Sequence, residues 1–421
     1  MKGFKELTPL SEAINSLLKL LTHRIRDVEV VEISDAPGRV CGENVYAPID
    51  SPAYDRSAVD GYAVIAEDTF GAAPTNPIEL KLIGRIDAGY NPLKLPALKP
   101  GHAIEIMTGA AMPPGSNAVV PAEHAEKKGE IVEVYSQVHP YQNISRRGED
   151  YSRGELVLEK GQIVKPWHIG ALASLGLHEL KVVRKARVAI LSTGGELIEL
   201  GQPLKPGKIY NSTKPMLKAL LSVYGAEPID LGLVGDDLDL IKKKVSEGLD
   251  NADAIIVTGG TSIGERDLVP EAVSDLSDFM IHGLAIRPGK PTGFAISSGK
   301  PIFMLSGFPV AALIGFRVLV IPALERMLGC RFDPPPRVRG RLTRRIASPP
   351  GIRTYARVRI YGEDDEILVE PLRVTGSGIL STLTRGNGLL VIPENVEGYD
   401  EGEEVEVEIL QPIHAGGEYQ G

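Results

Sequence analysis

Cysteine is scarce: Cys41 and Cys330 are the only two in 421 residues. Two distant thiols exclude a disulfide framework or a cysteine zinc site, and they fit a reducing cytosol. The eight histidines form no His-x3-His pair. Long apolar runs are also missing. The most apolar stretch, residues 309–324, contains Arg317 and falls short of the ~20 residues that span a bilayer. It reads as a buried helix, so no membrane partner is expected. Residues 1–10 carry Lys2, Lys5 and Glu6 and lack the apolar core of a signal peptide, so the expected location is cytoplasmic. Positive charge is not in excess, with 46 Lys+Arg against 55 Asp+Glu and a net charge of −9. Such a chain does not coat nucleic acid. Anionic small ligands then need local cations that overrule the global field.

Glycine and proline are plentiful, at 46 and 32, about 19% of the chain against about 12% on average. No Gly-X-Y period occurs, so the excess means turns, short strands and special backbone positions. Hydrophobic residues at 43% and charged residues at 24% describe a globular protein. The length predicts about three domains.

Thr8-Pro9 reads as a helix N-cap with Pro at the first helical position, and residues 10–21 have helical apolar spacing. Residues 28–164 change to short alternating runs cut by Pro/Gly turns, an all-β pattern, before a short helix over 166–175. From Arg187 the pattern alternates. Strands are expected at 188–191, 228–231, 254–257 and 302–305, with helices at 213–223, 236–248, 269–277 and 310–328. That is an α/β layered sandwich with a mainly parallel sheet. Asp333-Pro334-Pro335-Pro336 is a stiff linker. Beyond it lies a small β domain. Its charge is split: residues 331–360 carry nine Arg and one Asp, and residues 361–421 carry 14 acids and two Arg. Strands pairing across opposite charge explain this; an arginine face for an anionic ligand is the alternative.

Three strand-to-helix loops share one design. Ser192-Thr193-Gly194-Gly195-Glu196, Thr258-Gly259-Gly260-Thr261-Ser262 and Ser306-Gly307-Phe308 each follow a strand. Ligands of open α/β sheets bind off the carboxyl ends of the strands, where glycines let backbone N–H groups reach phosphate. Glu196 and Asp267 bring carboxylates to two of these loops, and Asp236 adds another at the start of a helix, which suits a divalent cation beside phosphate. Asp236 and Asp267 are equally placed to be helix N-caps. Arg287-Pro288-Gly289-Lys290-Pro291 is a rigid turn with two cations, a candidate oxyanion clamp. Asp60-Gly61 reads by itself as a hairpin turn.

The ordered set of motifs is more specific than any member. Residues 57–63 (Ser-Ala-Val-Asp-Gly-Tyr-Ala), 106–110 (Ile-Met-Thr-Gly-Ala), 146–150 (Arg-Arg-Gly-Glu-Asp), 192–197, 258–267, 287–291, 376–378 (Gly-Ser-Gly) and 387–394 follow one another. In this the chain resembles the molybdopterin molybdenumtransferase family, which includes MoeA and the gephyrin E-domain. The resemblance implies four domains: an elongated discontinuous domain (1–50 and 143–181), a β domain inserted into it (51–142), an α/β molybdopterin-binding sandwich (182–331) and a C-terminal β barrel (337–421). It implies insertion of molybdenum into adenylylated molybdopterin with release of AMP and with Mg²⁺ assisting. It also implies a homodimer, with the molybdopterin adenylyltransferase as a further partner.

Carried over residue by residue, the resemblance makes Asp60, Thr108, Glu196, Asp236 and Asp267 the catalytic set, the last three also around the metal. Thr193, Gly194, Gly259, Gly260, Ser262, Ser306 and Gly307 would bind substrate phosphate, and Arg287 and Lys290 molybdate. The chain departs from the family pattern in four places. Gly195 replaces a common Asp, residues 306–311 read Ser-Gly-Phe-Pro-Val-Ala for Pro-Gly-Asn-Pro-Val-Ser, Gly283 replaces a lysine, and Arg287 replaces another lysine. Tungstate is a tetrahedral dianion of nearly equal size, so the sequence leaves both oxometalates open. An adenylyltransferase and a non-catalytic molybdopterin-binding scaffold are the rival readings.

Overall fold

The computed structural model describes residues 6–260, 268–363, 366–372 and 376–415. Helix α1 (Leu10–Leu20) buries Leu10, Ala13 and Leu17. Pro9, not Thr8, stands at its N-cap. Thr8 is held instead as an extended residue, donating its N–H to Gly283 and accepting from the Ala285 N–H.

Strand β1 (Val28–Glu32) pairs antiparallel with β8 (Glu179–Val183), although some 150 residues separate them. Residues 45–46 likewise pair with 156–158, and 56–57 with 144–145. Between these halves lies a six-stranded sheet of order β5-β2-β4-β3-β7-β6. Its strands are β2 (Gly61–Val64), β3 (Ile78–Ile86), β4 (His102–Ile106), β5 (Ala118–Pro121), β6 (Ala125–Lys128) and β7 (Ile131–Val134). Asp60-Gly61 is not a hairpin turn. Gly61 opens β2, sandwiched between β4 and β5, and a Cβ there would overlap the Val120 carbonyl. Helix α2 (Pro166–Ser174) gives way at Gly176, whose φ of +76° suits glycine.

The central sheet has the order β10-β9-β11-β14-β13-β12. Strands β9 (Arg187–Thr193), β10 (Glu227–Val234), β11 (Ala254–Thr258) and β14 (Lys300–Leu305) are parallel; β12 (Phe279–His282) and β13 (Gly293–Ser297) are antiparallel additions. Alternate side chains feed two cores. Val188, Ile190, Ile256, Phe303 and Leu305 face α1, α3 (Thr213–Val223), α6 (Pro309–Gly315) and α7 (Ile321–Leu328). Ala189, Leu191, Ile255, Val257 and Met304 face α4 (Leu238–Asn251) and α5 (Leu268–Ser274). Three layers follow directly from that alternation. The single helix expected over 310–328 is divided by a π-helical turn at Phe316–Val320. Pro322 has no N–H for the regular ladder bond there.

The last domain closes on itself. Strands β15 (Arg337–Leu342), β16 (Arg353–Glu363), β17 (Glu366–Pro371), β18 (Gly388–Ile392) and β19 (Glu404–Ile409) form the ring β16-β17-β15-β19-β18-β16. The split charge pairs across neighbouring strands, as in Arg337–Glu406 at 2.9 Å and Arg341–Glu366 at 3.3 Å. Such exposed pairs each contribute under about 1 kcal/mol.

One buried carboxylate ties three segments together. Asp253 receives Arg184 Nη1 at 2.7 Å and Nη2 at 2.8 Å, the Arg187 N–H at 2.8 Å, and lies 2.8 Å from His23 Nε2. Burial pushes its pKa up, but the Arg184, Arg187 and His23 contacts outweigh burial and hold it at about 2. A depressed carboxylate contributes stability above its unfolded pKa of about 3.9, lost as pH falls through its folded value. Asp253→Asn should cost about 2 kcal/mol at pH 7 by weakening the charge-assisted bonds from Arg184, which keeps Asp27 as its other partner. It should also flatten the loss of stability between about pH 4 and pH 2. Thermal unfolding across that range checks both outcomes.

Candidate active site

Adjacent parallel strands β9, β11 and β14 deliver their three loops to one edge of the sheet. Ser192 lies opposite Thr258, and Thr258 opposite Leu305. The loops then touch. Thr193 Oγ1 donates to the Thr258 carbonyl at 3.3 Å. A Cβ on Gly259, at φ +89°, would overlap the Thr193 carbonyl oxygen. A Cβ on Gly260 would stand 3.0 Å from Thr193 Oγ1, and one on Gly307 3.2 Å from the Gly259 Cα. Gly194, at φ +140°, donates its N–H to Val234 at 3.0 Å. The Ser306 hydroxyl accepts the Phe308 N–H at 3.2 Å and so shapes the third loop. Thr213, opening α3, donates to the Gly307 carbonyl at 2.6 Å. Of the expected phosphate contacts, Thr193, Gly194, Gly259, Gly260, Ser306 and Gly307 are thus one cluster. Ser262 lies outside the described residues.

Two carboxylates flank the first loop. Glu196 Oε2 lies 2.8 Å from where a Gly194 Cβ would stand, and Asp236 Oδ2 lies 3.3 Å from a Gly195 Cβ. A side chain at 195 would stand in contact with the Asp236 carboxylate. Asp236 is not the N-cap of α4. Asp237 is, accepting the Leu240 N–H at 3.0 Å, and this leaves Asp236 free to face the loop. Carboxylate oxygens are the hard ligands that Mg²⁺ takes. Among the described residues no third metal-ligating side chain joins the pair. Asp267, the third carboxylate expected, lies outside the described residues.

The two cations sit on the turn between β12 and β13. Gly289, at φ +114°, packs its turn against α6, with a Cβ position 3.6 Å from the Ala311 carbonyl. Lys290 is exposed and Arg287 half-buried. Arg287 pairs with Thr354, so the clamp is stitched to barrel strand β16. Sequence reasoning missed Arg357 on that strand. It is fully buried at 1% exposure, and its Nε donates to Thr382 at 3.3 Å. Burial lowers its pKa, as does the Arg287 guanidinium nearby. Nothing in the sequence separates Arg357 from its eight neighbouring arginines. The barrel also reaches the third loop directly. Ser377 accepts the Val310 N–H at 3.1 Å, and Gly378 lies against the Phe308 ring. Gly283 sits at φ +96°, a conformation in which a lysine would be strained.

Asp60 and Thr108 meet on the six-stranded sheet. Asp60 Oδ1 accepts both the Thr108 N–H and its hydroxyl, each at 2.7 Å. These bonds lower the Asp60 pKa and keep the carboxylate ionised. Among the described residues, no hydrogen bond or ion pair joins this pair to the loops of the central sheet. The Arg-Arg-Gly-Glu-Asp motif braces the crossing between the two chain halves: the Arg147 N–H donates to Asp55 at 2.7 Å and its Nε to Asp50 at 2.6 Å.

The loop contact can be tested where it is tightest. Gly259→Ala should drive its methyl into the Thr193 carbonyl and cost about 2–3 kcal/mol through overpacking and a strained φ. Thermal unfolding of the variant should show the lowered stability.

Comparison with known proteins places the chain in a family. Residues 8–176 match the MoeA N-terminal region (domains I and II), residues 189–326 a molybdopterin-binding domain model, and residues 339–410 the MoeA C-terminal region (domain IV). A Methanocaldococcus jannaschii protein named for molybdopterin biosynthesis is 41% identical over 98% of this chain and 100% of its own. The molybdopterin molybdenumtransferase of Bacillus subtilis is 33% identical, covering 96% of this chain and 94% of its own. The crystal structure of a molybdopterin biosynthesis MoeA protein from Pyrococcus horikoshii OT3 superposes with a TM-score of 0.83 at 35% identity, covering 96% of this chain and 100% of that one. With all three regions matched in order, the chain belongs to the MoeA family of molybdopterin molybdenumtransferases.

Proposed function

We propose that this protein transfers molybdenum from molybdate to adenylylated molybdopterin and releases AMP. The observation that carries the reading is the contact of the three glycine loops at one sheet edge, with the Arg287–Lys290 turn packed on the same helix as the third loop. In this reading, N–H groups around Gly194, Gly259, Gly260 and Gly307 hold the pyrophosphate. Lys290 and Arg287, with Arg357 behind them, hold the tetrahedral dianion. Glu196 and Asp236, together with Asp267, would hold Mg²⁺, which when bound offsets phosphate charge. Asp60, kept ionised by Thr108, orients the water that attacks the adenylyl phosphorus and takes its proton. The bond from that phosphorus to the bridging oxygen breaks, AMP leaves, and the pterin keeps its phosphate; its two dithiolene sulfurs bond to the metal of the dianion as one oxygen leaves as water with the two thiol protons.

Among the described residues Asp60 and the loops share no hydrogen bond; in this reading the protein is a homodimer whose second copy supplies Asp60 to each cleft. The adenylyltransferase would supply the substrate, in a reducing cytosol that suits two buried free cysteines. Molybdate and tungstate present the same contacts to this site, and competition between them in the reconstituted reaction ranks the two.

The test is molybdate-dependent AMP release from adenylylated molybdopterin. Asp60→Asn and Asp236→Asn should each lower kcat by about 100-fold, the scale of a lost general base or metal ligand. Lys290→Met should mainly raise KM for molybdate, by about tenfold for one charge-assisted contact. AMP release at wild-type rate in Asp236→Asn would remove the metal role. Adenylylation of molybdopterin by ATP would favour the adenylyltransferase reading. Pterin binding without turnover would favour a scaffold.

A further inference from the structure

A second concave site lies away from the three loops. It is a cleft of about 1050 Å³ walled by α1 and the turn after it, by the segment running into α2, and by the end of α7 with the turn after it. That volume is at the upper end for small-molecule sites. None of the loop residues described above lines it.

Its charge is unbalanced in a chain that is acidic overall. Two of its acids are already engaged: Glu325 by Arg331 at 3.2 Å and by the Phe332 N–H at 2.9 Å, and Asp333 by Lys165. Glu159 is the remaining carboxylate, against Lys19, Arg24, Lys160 and Arg326. Among the described residues, none of these four cations has a carboxylate within ion-pair distance. Arg24 is oriented by backbone oxygens instead, donating Nη1 to Leu21 at 2.7 Å and His23 at 2.9 Å. Burial lowers its pKa, and so do the neighbouring charges of Arg326 and Arg26. Like charges held together without a counter-ion cost free energy that a bound anion would recover.

The cleft also exposes a large aromatic surface. Trp167 on α2 lines it and is 69% accessible. An indole left in water at the mouth of a cationic cleft is a stacking platform for a planar ring.

We propose that this cleft binds a phosphorylated small molecule carrying a planar ring, of nucleotide size. Its phosphates sit between Arg24 and Arg326, and its ring lies against Trp167. The site is separate from the loops of the central sheet and does not depend on the reaction assigned to them.

Trp167 is the single tryptophan of the chain, so its fluorescence reads this cleft rather than the loops. The full-length protein is titrated with ADP, pyrophosphate and adenosine. The expected result is a saturable change with ADP, weaker binding of pyrophosphate and none of adenosine. Arg326→Gln and Arg24→Gln should each weaken ADP by about tenfold, the effect of one charge-assisted hydrogen bond. Arg326→Lys should recover part of that loss. Thermal unfolding of each variant confirms that it is folded. No saturable response to ADP, adenosine binding as well as ADP, or unchanged affinity in both folded Gln variants would overturn the proposal. Pyrophosphate binding as tightly as ADP would overturn the ring contact.

Discussion

The Gly259 backbone rests against the Thr193 carbonyl, and the site depends on that closeness. Any side chain at 259 would push the first and second loops apart, and the third loop leans on the Gly259 Cα in turn. The approach follows from the parallel register of β9, β11 and β14, which brings Ser192, Thr258 and Leu305 level at one edge. Parallel strands point all their carboxyl ends the same way, so each glycine turn adds N–H groups to one shared surface. Buried aliphatic side chains on both faces of these strands hold the register, because a one-residue slip would exchange the two cores.

Charge is organised by position rather than by amount. The net −9 includes an arginine-rich and an acid-rich half of the barrel that largely neutralise each other across strands. What matters to anions is where two small sets of cations lie. Arg287 and buried Arg357 are close enough to depress the Arg357 pKa, and the barrel strand β16 brings them together. A second unbalanced set, Arg24 with Arg326, sits in the cleft beside Trp167. Asp237 takes over the capping of α4, and Asp236 is left facing Gly195.

Much of this was legible in order along the chain. Strand and helix alternation from Arg187 onward gave the layered sandwich, since apolar runs of four to five residues and helical spacing are local signals. The three glycine loops were visible as motifs, and so was the Asp333–Pro336 boundary. Local reading failed where a long-range partner decides. Asp60-Gly61 resembles a hairpin turn, yet Gly61 is squeezed between two strands that arrive some 40 and 60 residues later. Thr8 looks like an N-cap but is bonded to residues near 284. Pro322 looked compatible with one long helix and instead divides it.

By itself the sequence determined the composition of the site: which loops carry glycine, which carboxylates and cations accompany them, and the family to which their order belongs. These are properties of short segments, and spacing preserves them. The tertiary structure alone decided proximity. It chose Asp236 over Asp237 as the carboxylate facing the loop, seated Arg357 behind Arg287, and kept Asp60 with Thr108 on another sheet. It also gathered Arg24, Arg326 and Trp167 into one cleft from three segments of the chain. Those choices depend on strand order and on packing between distant segments, and no window of sequence contains both partners.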